Sequence, residues 1–331
     1  MIPRELHARS LAGLLAPIAS LLAEDDIGEI MINGPTRIYV ERAGRIEPTD
    51  ARFESEADLT AALRAIAQYV ARPLGDQHPI LEARLPDGSR VEAVLPPTAA
   101  DGPLVSIRRF ARRTLTFENL REYGAFDDET AAYLNHSVRA RKNLLVSGGT
   151  GSGKTSLLNA LSSLIAPDER VIVIEDAREL QLAGAHVVRL EARPPDMRGL
   201  GEIGVRQLLR ATLRMRPDRI VVGEIRGGEA LDLVQAMTTG HGGCLGTIHA
   251  SHPHDALSRL ETLSLMNDLG LPLAALRTQI GSAIDVVVQM ARGADGRRRV
   301  TDMLEVSGTD EHGHYLTRSP LAGLSAGRKR T

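Results

Sequence analysis

Apolar residues recur along this chain in two rhythms. Near the start, Leu11, Leu14, Leu15, Ile18 and Leu22 fall three and four residues apart, which predicts a helix. Arg4 and Arg9 ahead of that stretch give it the outline of a secretory leader. Leu21, however, stands where a cleavage site requires a small residue, so a packed helix is expected. From residue 27 to residue 109 the apolar runs are short. Strands are expected at 27–33 and 37–41, each followed by a turn signal, Asn33-Gly34-Pro35 and Ala43-Gly44. Two more are expected at 90–95, entered through Pro86-Asp87-Gly88, and at 104–108. Between the pairs, Ser55 and Asp58 resemble a capping box, and Leu59, Leu63, Ile66 and Val70 mark one helical face that ends before Pro73. The pattern predicts a small α/β domain over residues 1–109.

Beyond it the strand-like runs become continuously apolar: 143–147, 171–174, 187–190, 219–222, 244–248 and 285–289, with helical segments in most of the gaps. Such alternation predicts a mostly parallel sheet covered on both faces, the α/β class. This second domain is expected over residues 120–315. A linker at 110–119 carries Arg112 and Arg113, and a flexible basic tail at 316–331 ends Gly327-Arg328-Lys329-Arg330. A length of 331 residues suits two domains, and 43 % apolar with 25 % charged residues is ordinary for globular proteins. No apolar run approaches the roughly 18 residues a membrane span needs, so no transmembrane segment is expected. A net charge of −2 lacks the basic excess of duplex nucleic-acid binders. Cys244, the one cysteine, cannot form an intrachain disulfide or a multi-cysteine metal site, which fits a reducing compartment.

The chemistry starts at Gly148-Gly149-Thr150-Gly151-Ser152-Gly153-Lys154-Thr155, which matches G-x-x-x-x-G-K-[ST] between an apolar strand and the helical run 156–165. Glycines let successive backbone N–H groups turn toward a phosphate, the helix N-terminus adds partial positive charge, and Lys154 and Thr155 reach the β/γ-phosphates and Mg²⁺. The chain has only three lysines, and one of them occupies the position this motif requires. Acidic residues follow two strands. Glu175 and Asp176 follow 171–174 and are candidates for the magnesium shell, partly through water; Glu224 follows 219–222 and is the candidate for positioning the attacking water. Four histidines, His241, His249, His252 and His254, surround the run 244–248. The His-x-Pro-His segment is too crowded for a zinc site. His249, at a strand end, is expected near the γ-phosphate, and His252 and His254 in an exposed loop.

Taken together, residues 147–155, 174–182, 214–226 and 240–250 resemble, in order and spacing, the Walker A, aspartate box, Walker B and histidine box of the type II and type IV secretion and traffic ATPases. Within them the chain looks most like the CpaF-type motors of Flp/Tad pili, from about residue 14 to 306. The resemblance implies a RecA-like P-loop domain preceded by the smaller domain, with ATP and Mg²⁺ as cofactors. It places Ser156 with the Walker A residues, Glu175, Asp176 and Glu179 in the aspartate box, Glu224 in catalysis, Arg226 beside the nucleotide, and His241 and His249 in the histidine box. It also implies that Arg90 and Arg108 of the first domain complete the site. Two departures stand out. The extended N-terminal region common in CpaF-type proteins is not seen, a departure that bears on the contacts that region makes with a membrane platform, and Cys244 and Gly246 stand where the histidine box usually carries a hydroxyl.

The expected function is therefore an ATP-hydrolysing motor, ATP and water giving ADP and phosphate, for pilus assembly or protein secretion. It is expected in the cytoplasm as a homo-oligomer, a hexameric ring, peripheral at the inner face of the membrane through a pilus or secretion platform protein. A conjugation-type traffic ATPase is the alternative within the superfamily. From other classes, a nucleic-acid motor would use the arginine-rich run 189–219, and a nucleotide-gated scaffold would bind ATP with little turnover.

Overall fold

The computed structural model describes residues 11–320 apart from 43, 111–113, 183, 185, 197–198 and 268–269. The chain forms two units that meet in sequence at Arg113 and Thr114.

The first unit begins with a helical stretch whose buried residues are Leu11, Leu15, Ile18 and Leu21, and it includes helix α1 (Ala19–Ala23). Leu14 faces outward, and Leu21 rather than Leu22 turns in, because a 3-10 turn at Ala16–Ile18 tightens the spacing. Strands β1 (Ile27–Asn33), β2 (Ile38–Arg42) and β3 (Arg45–Pro48) precede helix α2 (Glu56–Tyr69). Then follow β4 (Ile80–Arg84), β5 (Arg90–Val94) and β6 (Leu104–Arg108). All pair antiparallel in the order β3-β2-β1-β6-β5-β4. In β1, Ile27, Ile30 and Ile32 all reach the core despite an odd spacing, since an irregularity in register between Ile27 and Glu29 resets the alternation. Ser55 Oγ accepts from Asp58 N at 3.2 Å to cap α2, which buries Leu59, Leu63 and Ile66 against the sheet's apolar residues.

The second unit carries α3 (Phe117–Glu122), α4 (Asp128–Arg139), β7 (Leu144–Gly148), α5 (Lys154–Ser162), β8 (Val171–Glu175) and β9 (Val187–Glu191). It continues with α6 (Val205–Thr212), β10 (Arg219–Val222), α7 (Glu229–Thr238), β11 (Leu245–Ile248), α8 (Pro253–Leu265) and α9 (Leu273–Ala283). It closes with β12 (Val286–Arg292), β13 (Arg298–Thr309) and β14 (Tyr315–Arg318). The sheet order is β14-β13-β12-β7-β11-β10-β8-β9, parallel from β12 to β9 and antiparallel at β13 and β14. Successive strand residues feed opposite cores: Leu144 and Val146 pack with α4 and α5, whereas Leu145 packs with α7, α8 and α9. This is a RecA-like sheet covered on both faces, with a smaller antiparallel first unit. Residues 111–113 of the expected linker lie outside the described residues, and Leu115 and Phe117 beyond them pack in the second unit. The expected tail starts later than residue 316, because β14 pairs with β13 through Arg318; residues 321–331 lie outside the described residues.

Candidate functional site

The site is built at the carboxyl edge of the parallel sheet, where β7, β11, β10 and β8 end side by side. Gly148 closes β7. A Cβ there would stand 2.5 Å from the carbonyl oxygen of Met290 and against Ser152 Oγ, so the loop leaves the strand only through glycine. Gly151 and Gly153 have φ of +69° and +95°, the left-handed region. Ser152 turns inward and donates to the Gly149 carbonyl at 2.8 Å, while Thr150 and Gly151 are exposed and Thr155 and Ser156 half-buried. Lys154, 8 % exposed, donates from Nζ to the carbonyls of Gly148 and Gly149, each at 2.9 Å. Ammonium, backbone turn and the N-terminus of α5 thus converge on one point, which fits a nucleotide phosphate.

Facing that point, His249 Nε2 lies 2.8 Å from Glu224 Oε1 and 3.3 Å from Lys154 Nζ. A bare Nε2 would set a lone pair against the carboxylate, so the proton sits on Nε2 and is donated to Glu224. Burial and the Lys154 charge lower the His249 pKa, which keeps the ring neutral near pH 7. The other Glu224 oxygen is 2.5 Å from Arg226 Nη2, and Arg226 Nη1 is 3.4 Å from Asp176 Oδ2. The hydrogen bond to Glu224 pushes the Arg226 pKa up. Asp176, Arg226, Glu224, the neutral His249 and Lys154 therefore form one connected polar chain.

Glu175 is 4 % exposed and turns under the loop, where Oε1 accepts from the backbone N–H groups of Glu179 and Leu180 at 2.8 Å each. Burial raises its pKa against those two bonds. Its side chain fills the space beside Gly223, whose Cβ would come within 2.9 Å of Glu175 Cγ. Glu179 Oε2 is 3.5 Å from the Thr155 hydroxyl. Among the described residues, no three His, Cys, Asp or Glu side chains converge into a metal cage. Mg²⁺ takes few protein ligands and completes its shell with phosphate oxygens and water. Thr155 and Asp176, with Glu175 behind, are the groups on hand to hold it.

His241 is half-buried, away from this edge of β11, with Nδ1 buried among the described residues without a hydrogen-bond partner. Its carbonyl accepts from the Cys244 thiol at 3.0 Å, and burial pushes that thiol's pKa up to about 12. His252 caps α8 and His254 lies on its first turn, both exposed. Arg90 and Arg108 are direct cross-strand partners on β5 and β6 of the first unit. The arginine-rich run is largely consumed internally: Arg206 and Arg210 clasp Asp232, Arg193 reaches the Gly201 carbonyl, and buried Arg219 pairs with Glu169 at 2.7 Å.

Two residues near the loop carried no sequence signal. Gln289 of β12 donates to the carbonyls of Ala250 and Ser251 at 3.2 Å, tying down the segment after His249. Arg298 of β13 donates to the Gly151 carbonyl at 2.9 Å. Only the run Arg297-Arg298-Arg299 after a Gly-Ala-Asp-Gly turn could have flagged it.

Residues 13–318 match the type II/IV secretion system protein family. A putative conjugal transfer protein of Mycobacterium tuberculosis is 39 % identical over 298 residues, covering 88 % of this chain and 83 % of that protein. The type IV secretion system protein PtlH of Bordetella pertussis is 38 % identical over 313 residues, 85 % of this chain and 91 % of its own. Among solved structures, the ATPase DotB of Legionella pneumophila shares the fold, with a TM-score of 0.62 at 21 % identity over 89 % of this chain and 80 % of that one. Among the described residues no helix is long and apolar enough to cross a membrane.

Proposed function

This chain belongs to the type II/IV secretion system protein family, and we propose that the ATP hydrolysis it carries out drives conjugation-type traffic through a type IV secretion apparatus. The observation that carries this reading is the 39 % identity, across most of both chains, to a protein named for conjugal transfer. Flp/Tad pilus assembly rests on motif resemblance alone and stands second. The internal use of the arginine run speaks against a nucleic-acid motor.

In this reading ATP seats its phosphates on residues 148–156, with Lys154 neutralising the β/γ-phosphates. The Thr155 hydroxyl and Asp176 would hold Mg²⁺, which would spread phosphate charge, with Glu175 bracing the aspartate loop beneath. Glu224, held in place by Arg226 and by the His249 N–H, orients the attacking water. Glu179 stands beside the Thr155 hydroxyl, whereas His241, at the amino end of β11, is too far from this edge to take the part expected of it, and Arg90 and Arg108 would supply positive charge when the γ-phosphate is bound. The chain works as a homo-oligomeric ring, expected to be hexameric, on the cytoplasmic face of a membrane platform protein. Deleting the gene from its host should abolish transfer of DNA or protein to recipient cells while surface Flp/Tad-type pili persist. Loss of the pili with transfer intact would reverse the order of the two readings.

A further inference from the structure

The β12–β13 hairpin runs past the phosphate loop. Met290 of β12 stands in register with Gly148, and the chain turns back at residues 293–297 to start β13 at Arg298. From there Arg298 reaches back to the loop. Its Nε donates to the Gly151 carbonyl at 2.9 Å, at the apex where φ is positive. Its Cδ and Cβ stand 3.1 and 3.5 Å from where a Gly153 Cβ would be, so the absence of a side chain at Gly153 is what lets the arginine stem lie flat.

The neighbouring guanidinium groups are differently occupied. Arg299 is paired with Asp295 at 2.6 Å, and Arg226 is held by Glu224 and Asp176. Among the described residues no carboxylate pairs with Arg298, although its side chain is fixed against a loop shaped for an anion. One guanidinium N–H is spent on a loop carbonyl, and the charge is left for an acceptor that the protein does not supply.

We propose that Arg298 is a second cation of the phosphate site, binding the diphosphate portion of the nucleotide through the terminal guanidinium nitrogens that its Nε bond to the loop does not use. The proposal rests on the nucleotide reading of the loop above. It also accounts for the hairpin's position, since a guanidinium pinned by Nε is pre-organised and loses little freedom when the ligand arrives.

The test uses the full chain with Mg²⁺, titrated with ADP by calorimetry and with inorganic pyrophosphate as competitor against a fluorescent ADP analogue. Arg298→Ala should weaken both ligands by the same factor, about tenfold or more, as expected for one charge-assisted hydrogen bond. Arg298→Lys, which keeps the charge but not the Nε bond, should recover part of that loss, and thermal unfolding of both variants should match the parent because the residue is exposed. Unchanged ADP affinity in Arg298→Ala would overturn the proposal, as would weakening of ADP with pyrophosphate unaffected, or an Arg298→Lys variant no better than Ala. A parent chain that binds neither ligand would instead refute the nucleotide reading of the loop itself, and the two failures are separable.

Discussion

His249 shows how one residue's environment sets a testable pH response. Burial and Lys154 at 3.3 Å hold its pKa below 6.5, and Glu224 opposes them. The folded chain therefore binds fewer protons than the unfolded one between the two pKa values, so this group's effect on stability is to lower it as pH falls through that window. Protonation at Nδ1 leaves the Nε2–H bond to Glu224 in place but sets a full positive charge against Lys154 and draws on the carboxylate that orients the water. Turnover measured from about pH 5 to 8 should fall on the acid side with an apparent pKa below 6.5, and His249→Asn should flatten that limb at a lower plateau. An unaltered acid limb in the variant would remove His249 from the explanation. At this scale the loop was legible because glycines at fixed spacing report backbone geometry directly. Arg298 was not, since nothing in its immediate neighbours distinguishes an arginine laid on a loop from a solvated one.

Elements were legible where apolar residues ran on without a break, so β9 was expected at 187–190 while β4 and β13, whose buried residues are spaced among polar ones, were not. Strands β7, β8, β10 and β11 are buried at every position and read as continuous apolar runs. Strand β3 is exposed at all four positions, and β14 alternates only weakly at the sheet edge, so neither left an apolar pattern to read. The link from β8 to the aspartate loop depends on a contact that no pattern shows, the Glu175 carboxylate accepting two backbone N–H groups in a buried setting. Glu175→Ala strands both donors and should cost about 2–4 kcal/mol of stability, whereas Glu175→Gln keeps an acceptor and should cost about 1 kcal/mol. Urea unfolding of the two variants checks the difference, and equal losses would mean that the acid does not brace the loop.

At the scale of the whole molecule, the two units carry complementary parts of the proposed machine, the second holding the phosphate loop and acids, the first holding Arg90 and Arg108. The role proposed for them comes from resemblance alone, because strand arginines, half-buried at Arg90 and exposed at Arg108, have no signature of their own. If they complete the site, replacing either by Ala should cut hydrolysis by about 10³ while ADP, which lacks the γ-phosphate, binds nearly as before. Solvent-facing arginines would instead leave turnover unchanged and shift stability by no more than about 0.5 kcal/mol. A ring would appear in light scattering as a particle six times the 35.7 kDa protomer. The central claim is that ATP is cleaved at this loop by Lys154 and Glu224 acting on one phosphate, and steady-state phosphate release tests it most directly. The parent chain should release phosphate from ATP with Mg²⁺, Lys154→Ala should release almost none, and Glu224→Gln should bind ATP while turning it over at about 1 % of the parental rate or less. Near-parental release by a folded Lys154→Ala chain would contradict the account.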